Sequence, residues 1–584
     1  MVSRGLRIGL LAAAPAIGLG IVALRAPGGE PGVGSGGERA RAPGALGGSV
    51  ALGGIGGDSA ASCAPLSPAA ARGKRIYQRG VTADGRAVEG AIVDGAASLS
   101  GREAACAGCH GPSGQGTDEG GVPAPPLAPE RLFARAQGAA AQGTATALAA
   151  AIREGRAPPD RRLHPVMPRY RIPDADLSDL IRYLGCLGRD LDPGVTADAV
   201  ALGAALPLSG PAAPMGAAVR DVLSAAFAEV NAQGGIYRRR IELRVEDSGG
   251  AAGEVGATAR LLERGVLALV GSVSSGDPAL LARLEEERAP LVAPVEAGAT
   301  AADGVVFHVQ PGPDVLARVA IHHLAGERRD AGATAAASLV VYTRGREGEA
   351  WAAGARAEAA RRGLPAPAAL PFAPGELAPG AVAEAARRHG AAAVLFWGSG
   401  ADLARCAAAL GAAAPGPIYA PLGPAGELPE ALWQRPERVL FLHAGPLGEQ
   451  ARASTSEALR AFLQRAGMAP PAGRPPGAAP GQPATPGQPA TPGQPAAPGL
   501  LGVQARAYAA ARIATEALKR AGAHVTREGL IAALEGLRDF DAGPAPRVSF
   551  ARNRRTGVLG ATLVRLDPAS GGAVRASPWI EVVP

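Results

Sequence analysis

Lysine is nearly absent from this 584-residue sequence: it occurs only at 74 and 519, and arginine supplies almost all the positive charge. Aromatic residues make up only 3% of the chain, so its cores must be built mainly from aliphatic side chains and alanine. There is no Lys/Arg-rich block, no zinc-finger spacing and no alternation of basic with aromatic residues, which argues against nucleic acid as a partner. Nor does any nucleophile–base arrangement or metal triad point to hydrolytic chemistry. A net charge of +7, spread along the chain, still allows steering toward an acidic partner. Cysteine is scarce too, with only five residues, so each position carries information.

What is present begins with length. At ~150 residues per domain, the chain holds several units, and 47% hydrophobic residues suffice for real cores. Residues 1–26 carry a targeting pattern: Arg4 and Arg7 precede an uncharged, mostly apolar run from Ile8 to Leu24, and Arg25 follows. The run is long for a signal peptide and slightly short of the ~20 residues that span a bilayer. A cleaved signal and a retained membrane anchor both remain open, and export to the periplasm follows from either. Residues 27–66 are rich in Gly, Ala and Pro without periodicity and read as a flexible linker. Cys63 and Cys186 flank the next segment and are candidates for a disulfide in an oxidising compartment.

Within that segment, residues 67–190, stands Cys106-Ala107-Gly108-Cys109-His110. Cys-x-x-Cys-His is the attachment signature of c-type haem. Two thiols one turn apart form thioethers with the haem vinyls, and the adjacent His reaches the iron. Met167, in His164-Pro165-Val166-Met167-Pro168, is the only Met between residues 2 and 214 and is the candidate second axial ligand, with His164 the alternative. His/Met ligation stabilises the reduced iron. A thioredoxin-like pair would want a helix after the motif, whereas Gly111-Pro112-Ser113-Gly114 follows. A zinc site lacks two further ligands. The flanks resemble class I cytochrome c: Gly73 and Tyr77 on a short first helix, Leu180 and Tyr183 on a helix over 174–187. The resemblance implies that these helices cross, that one haem c is covalently held, and that the carbonyl of Pro125 or Pro126 holds the proximal His ring. With both axial positions filled, the iron passes electrons and catalyses nothing.

From residue 199 to 584 strands alternate with helices. Strands are expected at Val200–Leu206, Ile241–Val245, Val266–Val270, Ser338–Tyr342, Ala392–Trp397 and Val439–Leu442, with helices at Ala213–Ala232, Ala257–Glu263 and Asp402–Leu410. Such alternation implies a parallel sheet covered on both faces. Residues 469–499 repeat Pro-Gly-Gln-Pro-Ala-Thr and read as a disordered insertion. This unit resembles the type I periplasmic solute-binding proteins of the leucine/isoleucine/valine-binding family, through Leu206-Pro207-Leu208-Ser209-Gly210, Ala228-Glu229-Val230-Asn231-Ala232-Gln233-Gly234-Gly235, Arg244-Val245-Glu246-Asp247 and Val270-Gly271-Ser272-Val273-Ser274-Ser275, in that order. The resemblance implies two α/β lobes closing on a small ligand, with Ser275 at the ligand's carboxylate and Ser209, Ser274, Glu296 and Ala297 nearby. Met215, Ala297, Glu347 and Gly423 depart from the amino-acid-binding pattern, so branched-chain specificity is not expected to survive.

The expected architecture is therefore multidomain: a small all-α cytochrome c domain, then a two-lobed α/β solute-binding-like domain. The function expected is periplasmic single-electron transfer joined to the binding or sensing of a small ligand, an amino-acid-like molecule being one candidate. Partners would be a periplasmic dehydrogenase or another cytochrome. Two rival roles stay open: the substrate-binding subunit of an ABC-type importer with its permease, or an electron acceptor whose lobes dock a dehydrogenase.

Overall fold

The computed structural model describes Cys63 and residues 66–583, except 93–94, 120–121, 134–138, 160, 251–252, 296–303, 331–336, 412–415, 423–427, 445–447, 469–499, 544–545 and 570–571. The expected signal or anchor, nearly all of the linker, the Pro-rich insertion, Glu296, Ala297 and Gly423 lie outside the described residues. Among the described residues no helix is long and apolar enough to cross a membrane.

The first module is organised by two crossing helices. Pro68–Arg79 starts where the Ser67 hydroxyl accepts the Ala70 N–H at 3.2 Å and Pro68 supplies a preset φ. It ends at Gly80, left-handed at φ 64°. Asp174–Leu184 begins after Pro173 with Asp174 and Asp176 in its first turn, where they complement the helix dipole. The helices meet at Gly73: a Cβ there would lie 2.1 Å from the Asp179 carbonyl oxygen and 2.8 Å from Tyr183 Cβ. That absence of a side chain lets the Tyr77 and Tyr183 rings pack with centroids 5.7 Å apart. The helix at 174–187 stops three residues earlier than expected, at Leu184. A disulfide joins Cys63 to Cys186 across 123 residues. Beside the helices lies a small antiparallel sheet, Ala97–Ser100, Glu89–Ile92 and Arg169–Arg171, which the all-α expectation did not include. Its strands are only three or four residues long, too short to show a period.

The second module has two sheets. In the first lobe five parallel strands run in the order Val306–Phe307, Leu291–Val292, Ala268–Val270, Ala199–Leu206, Arg240–Asp247. In the second, Ala368–Phe372, Ser338–Thr343, Ala393–Trp397, Ile418–Pro421 and Val439–His443 are parallel, and Gly560–Asp567 and Gly572–Arg575 continue antiparallel. Alternate residues of these strands face opposite cores: Leu339, Val341, Val394 and Phe396 one way, Val340, Tyr342 and Leu395 the other. The helix Ala213–Ala232 has the bounds expected from its sequence.

The chain passes between the lobes after Phe307, after His443 and before Gly560. The first and last passes are tied together: the His308 N–H donates to the Arg555 carbonyl at 2.8 Å, and the Gly557 N–H to the His308 carbonyl at 2.7 Å. The first module rests on the first lobe through buried charge. Lys74 Nζ lies between Asp190, at 2.5 Å, and Asp192, whose other oxygen accepts the Arg527 N–H at 2.5 Å. Arg527 in turn donates to the carbonyls of Val266, Leu267 and Glu287. Arg102, four residues before Cys106, reaches Glu535 at 3.4 Å, and Glu535 pairs with the buried Arg555 at 2.6 Å.

Candidate functional site

His110 closes the short helix Ala107–His110 and is buried. Its Nδ1 lies 2.9 Å from the Pro125 carbonyl, which selects Pro125 over Pro126 for the role expected from sequence. A carbonyl only accepts, so Nδ1 carries the proton and Nε2 presents its lone pair. Burial lowers the His110 pKa and keeps the ring neutral, with the Pro125 bond opposing that shift. Gly116 makes this approach possible: at φ 81°, a Cβ there would stand 2.6 Å from the Ala124 carbonyl oxygen. The loop after His110 is pinned by Tyr77, whose hydroxyl donates to the Gly111 carbonyl at 2.8 Å. Thr117 donates to the Cys109 carbonyl at 2.6 Å.

Cys106 and Cys109 are free thiols, although a Cys-x-x-Cys spacing permits a disulfide. Burial raises the Cys106 thiol to about 11, so it is held protonated, with Tyr170 Oη 4.0 Å away. Cys109 is exposed. Met167 is half-buried, while His164 is exposed and its Nδ1 accepts the Val166 N–H at 3.3 Å. Two free thiols one helical turn apart, an imidazole with one nitrogen committed and the other available, and a half-buried thioether form a donor set that fits a c-type haem.

In the cleft between the lobes the serines singled out in the sequence are bonded to neighbouring residues. Ser274 Oγ accepts the Gly276 N–H at 3.1 Å, and Ser209, which is exposed, bonds Asp247. That bond, with the N–H groups of Gly249 and Leu208, holds the Asp247 carboxyl below its usual range. Ser275 presents an N–H and a hydroxyl, as a carboxylate cradle should. Both go to Glu254, the N–H to Oε2 at 3.0 Å and the hydroxyl to Oε1. From the opposite lobe Arg346 donates to the Ser275 carbonyl at 2.5 Å. Neither Glu254 nor Arg346 stands out in the sequence. Each opens a helix, Gly253–Glu263 and Arg346–Arg361, where a charged residue is unexceptional.

The cytochrome c family model matches residues 70–187. The periplasmic binding protein model matches residues 199–471 and 490–573, more than half of the chain. The chain belongs to the periplasmic binding protein family, with a cytochrome c domain ahead of the binding unit. This fused binding protein is similar in structure to a fatty acid ABC transporter substrate-binding protein from Thermomonospora curvata, at 21% identity and a TM-score of 0.47, covering 67% of this chain and 94% of that one. It is similar also to a type 1 periplasmic binding protein from Bordetella pertussis Tohama I, at 20% identity, TM-score 0.47, 65% and 99% covered. A possible leucine/isoleucine/valine-binding protein from Rhodopirellula baltica SH 1 is similar at 16% identity, TM-score 0.47, 65% and 97% covered. No curated protein matches the chain. The cytochrome c domain implies haem c, and the binding-protein family implies a periplasmic location and a small-molecule ligand.

Proposed function

We propose that this protein is an exported one-electron carrier whose single haem c is held by Cys106 and Cys109 as thioethers and by His110 and Met167 as axial ligands. The observation that carries the reading is the His110–Pro125 bond within a segment that also offers two free thiols. Bound there, haem supplies a ferric–ferrous couple. The chain's own residues set the conditions. Pro125 fixes the imidazole tautomer, Tyr77 anchors the loop behind it, and burial keeps the ring neutral. The protein transfers electrons to or from a periplasmic dehydrogenase or another cytochrome and carries out no catalytic step of its own. A redox titration tests this. The expected result is a one-electron wave whose midpoint falls in Met167→Ala while the haem stays attached, because the thioether favours reduced iron. An unchanged midpoint in that variant contradicts the ligand set.

The binding lobes serve this carrier as a closing module for a small ligand. Arg102, Glu535 and Arg555 link the segment before Cys106 to the paired inter-lobe passes, so closure is positioned to bias the haem. Equal midpoint potentials with and without a ligand found by thermal shift would refute that link. A second reading is favoured by Glu254. Because Ser275's N–H and hydroxyl are already bonded within the lobe, the lobes suit a docking scaffold for a dehydrogenase as well as a receptor. Direct reduction by such an enzyme without added ligand would select the scaffold.

A further inference from the structure

The loop that presents Met167 leaves the helix Ala139–Glu154 at Gly155 and returns through Arg169, the first residue of the strand Arg169–Arg171. Arg169 closes it. Its Nη1 donates to the Met167 carbonyl at 2.6 Å, and its Nη2 donates to the Leu163 carbonyl at 3.1 Å, with the His164 carbonyl at 3.5 Å. One rigid guanidinium thus ties together three carbonyls of a five-residue stretch, a task its planar fork suits better than a flexible ammonium. Gly155 packs directly against the guanidinium: it is buried at φ 67°, and a Cβ there would sit 2.1 Å from Arg169 Cζ and Nε. The Gly155 carbonyl accepts the Leu163 N–H at 2.8 Å, joining the two ends of the loop directly. The Arg169 donors are directed at the loop backbone. Pro168 is buried against Gly90 of the neighbouring strand, where a Cβ would approach Pro168 Cβ to 2.8 Å.

We propose that Arg169 is a positioning residue for Met167: its guanidinium, seated on Gly155, holds the 163–167 backbone so that the thioether stays on the iron. The proposal rests on Met167 being the axial ligand. Without the clamp, three carbonyls lose a shared donor, the loop regains backbone freedom, and the reach of the thioether is no longer fixed.

The test uses the full-length haem-loaded protein and two readouts: midpoint potential, and the shifted methyl resonance of an iron-bound methionine. Met167→Ala sets the scale for complete loss of the ligand. Arg169→Gln is expected to keep its covalent haem and reduced α-band, to move most of the way to the Met167→Ala potential, and to lose the resonance. Gly155→Ala, which displaces the guanidinium without removing it, should do the same. Arg169→Lys should recover part of both signals, and Arg171→Gln, exposed on the same strand, should match wild type. Wild-type potential and resonance in Arg169→Gln overturn the clamp while Met167 stands as ligand. An unchanged Met167→Ala overturns the ligand assignment instead, and the clamp with it.

Discussion

Replacing Gly73 by Ala adds one methyl group at the crossing of the helices Pro68–Arg79 and Asp174–Leu184. The new Cβ would meet the Asp179 carbonyl oxygen at 2.1 Å and its carbon at 2.6 Å, whereas ordinary contact begins at 3.4 Å. The helices must therefore separate by about 1.3 Å, because the obstructing atoms are backbone and cannot rotate away. That movement pulls apart the Tyr77–Tyr183 contact and the Arg72–Asp179 pair at 2.6 Å. Overpacking of this kind costs ~1–3 kcal/mol, and the rigid partner puts it at the upper end. Alanine's better helix propensity returns ~0.5–1 kcal/mol, leaving a net loss of about 2 kcal/mol. Urea unfolding followed by haem absorbance measures it, with Gly143→Ala as the control. Gly143 sits exposed in the helix Ala139–Glu154, and a Cβ there would find no neighbouring atom within 4 Å, so its substitution should stabilise by up to ~1 kcal/mol. If Gly73→Ala were as stable as wild type, the close helix crossing would be wrong.

Breaking the Cys63–Cys186 bridge with two Ser substitutions opens a loop spanning 123 residues, worth about 5 kcal/mol in the chain-entropy account. Urea midpoints of the first module should drop accordingly, and a loss below ~1 kcal/mol would count against the bridge. Lys74→Met leaves Asp190 and Asp192, with side chains 2% and 7% exposed, without their cation. That should cost ~3–5 kcal/mol, seen as earlier unfolding of the first module, and near-neutral behaviour would refute it. Burial, and secondarily Arg346, lowers the His308 pKa from 6.5 to about 4. The unfolded chain then binds the proton first as pH falls, so His308's contribution is complete above 6.5 and is lost on descending toward 4, by up to ~3 kcal/mol. Thermal melts of His308→Gln across that window should show a flatter pH dependence than wild type, and parallel curves would contradict the assignment.

Much of the fold and the haem site is legible in the sequence where the signal is local. Cys106, Cys109 and His110 lie within five residues, and Gly73 and Tyr77 lie one helical turn apart, so short-range spacing suffices to read them. Strand and helix order in the binding lobes is legible because apolar runs and amphipathic stretches carry their own period. What escapes is long-range. Glu254 lies 21 residues from Ser275, and Arg346 is 71 residues away and in the other lobe. Only the folded chain brings them to one point. Arg169 is two residues from Met167, yet a lone Arg there gives no hint that its guanidinium gathers three carbonyls. The short sheet beside the haem segment escapes because its strands have little pattern of their own, and Glu89–Ile92 meets Arg169–Arg171 only across about 80 residues.

Covalent attachment of haem at Cys106 and Cys109 is what the proposed electron transfer requires first. The most direct measurement is the visible spectrum of the exported protein, reduced with dithionite, followed by acid–acetone extraction and intact mass. A sharp α-band, haem that stays with the polypeptide, and a mass increase of one haem per chain that disappears in Cys106→Ser/Cys109→Ser are the predicted result. A reduced protein without an α-band, or haem that leaves with the solvent, would contradict it.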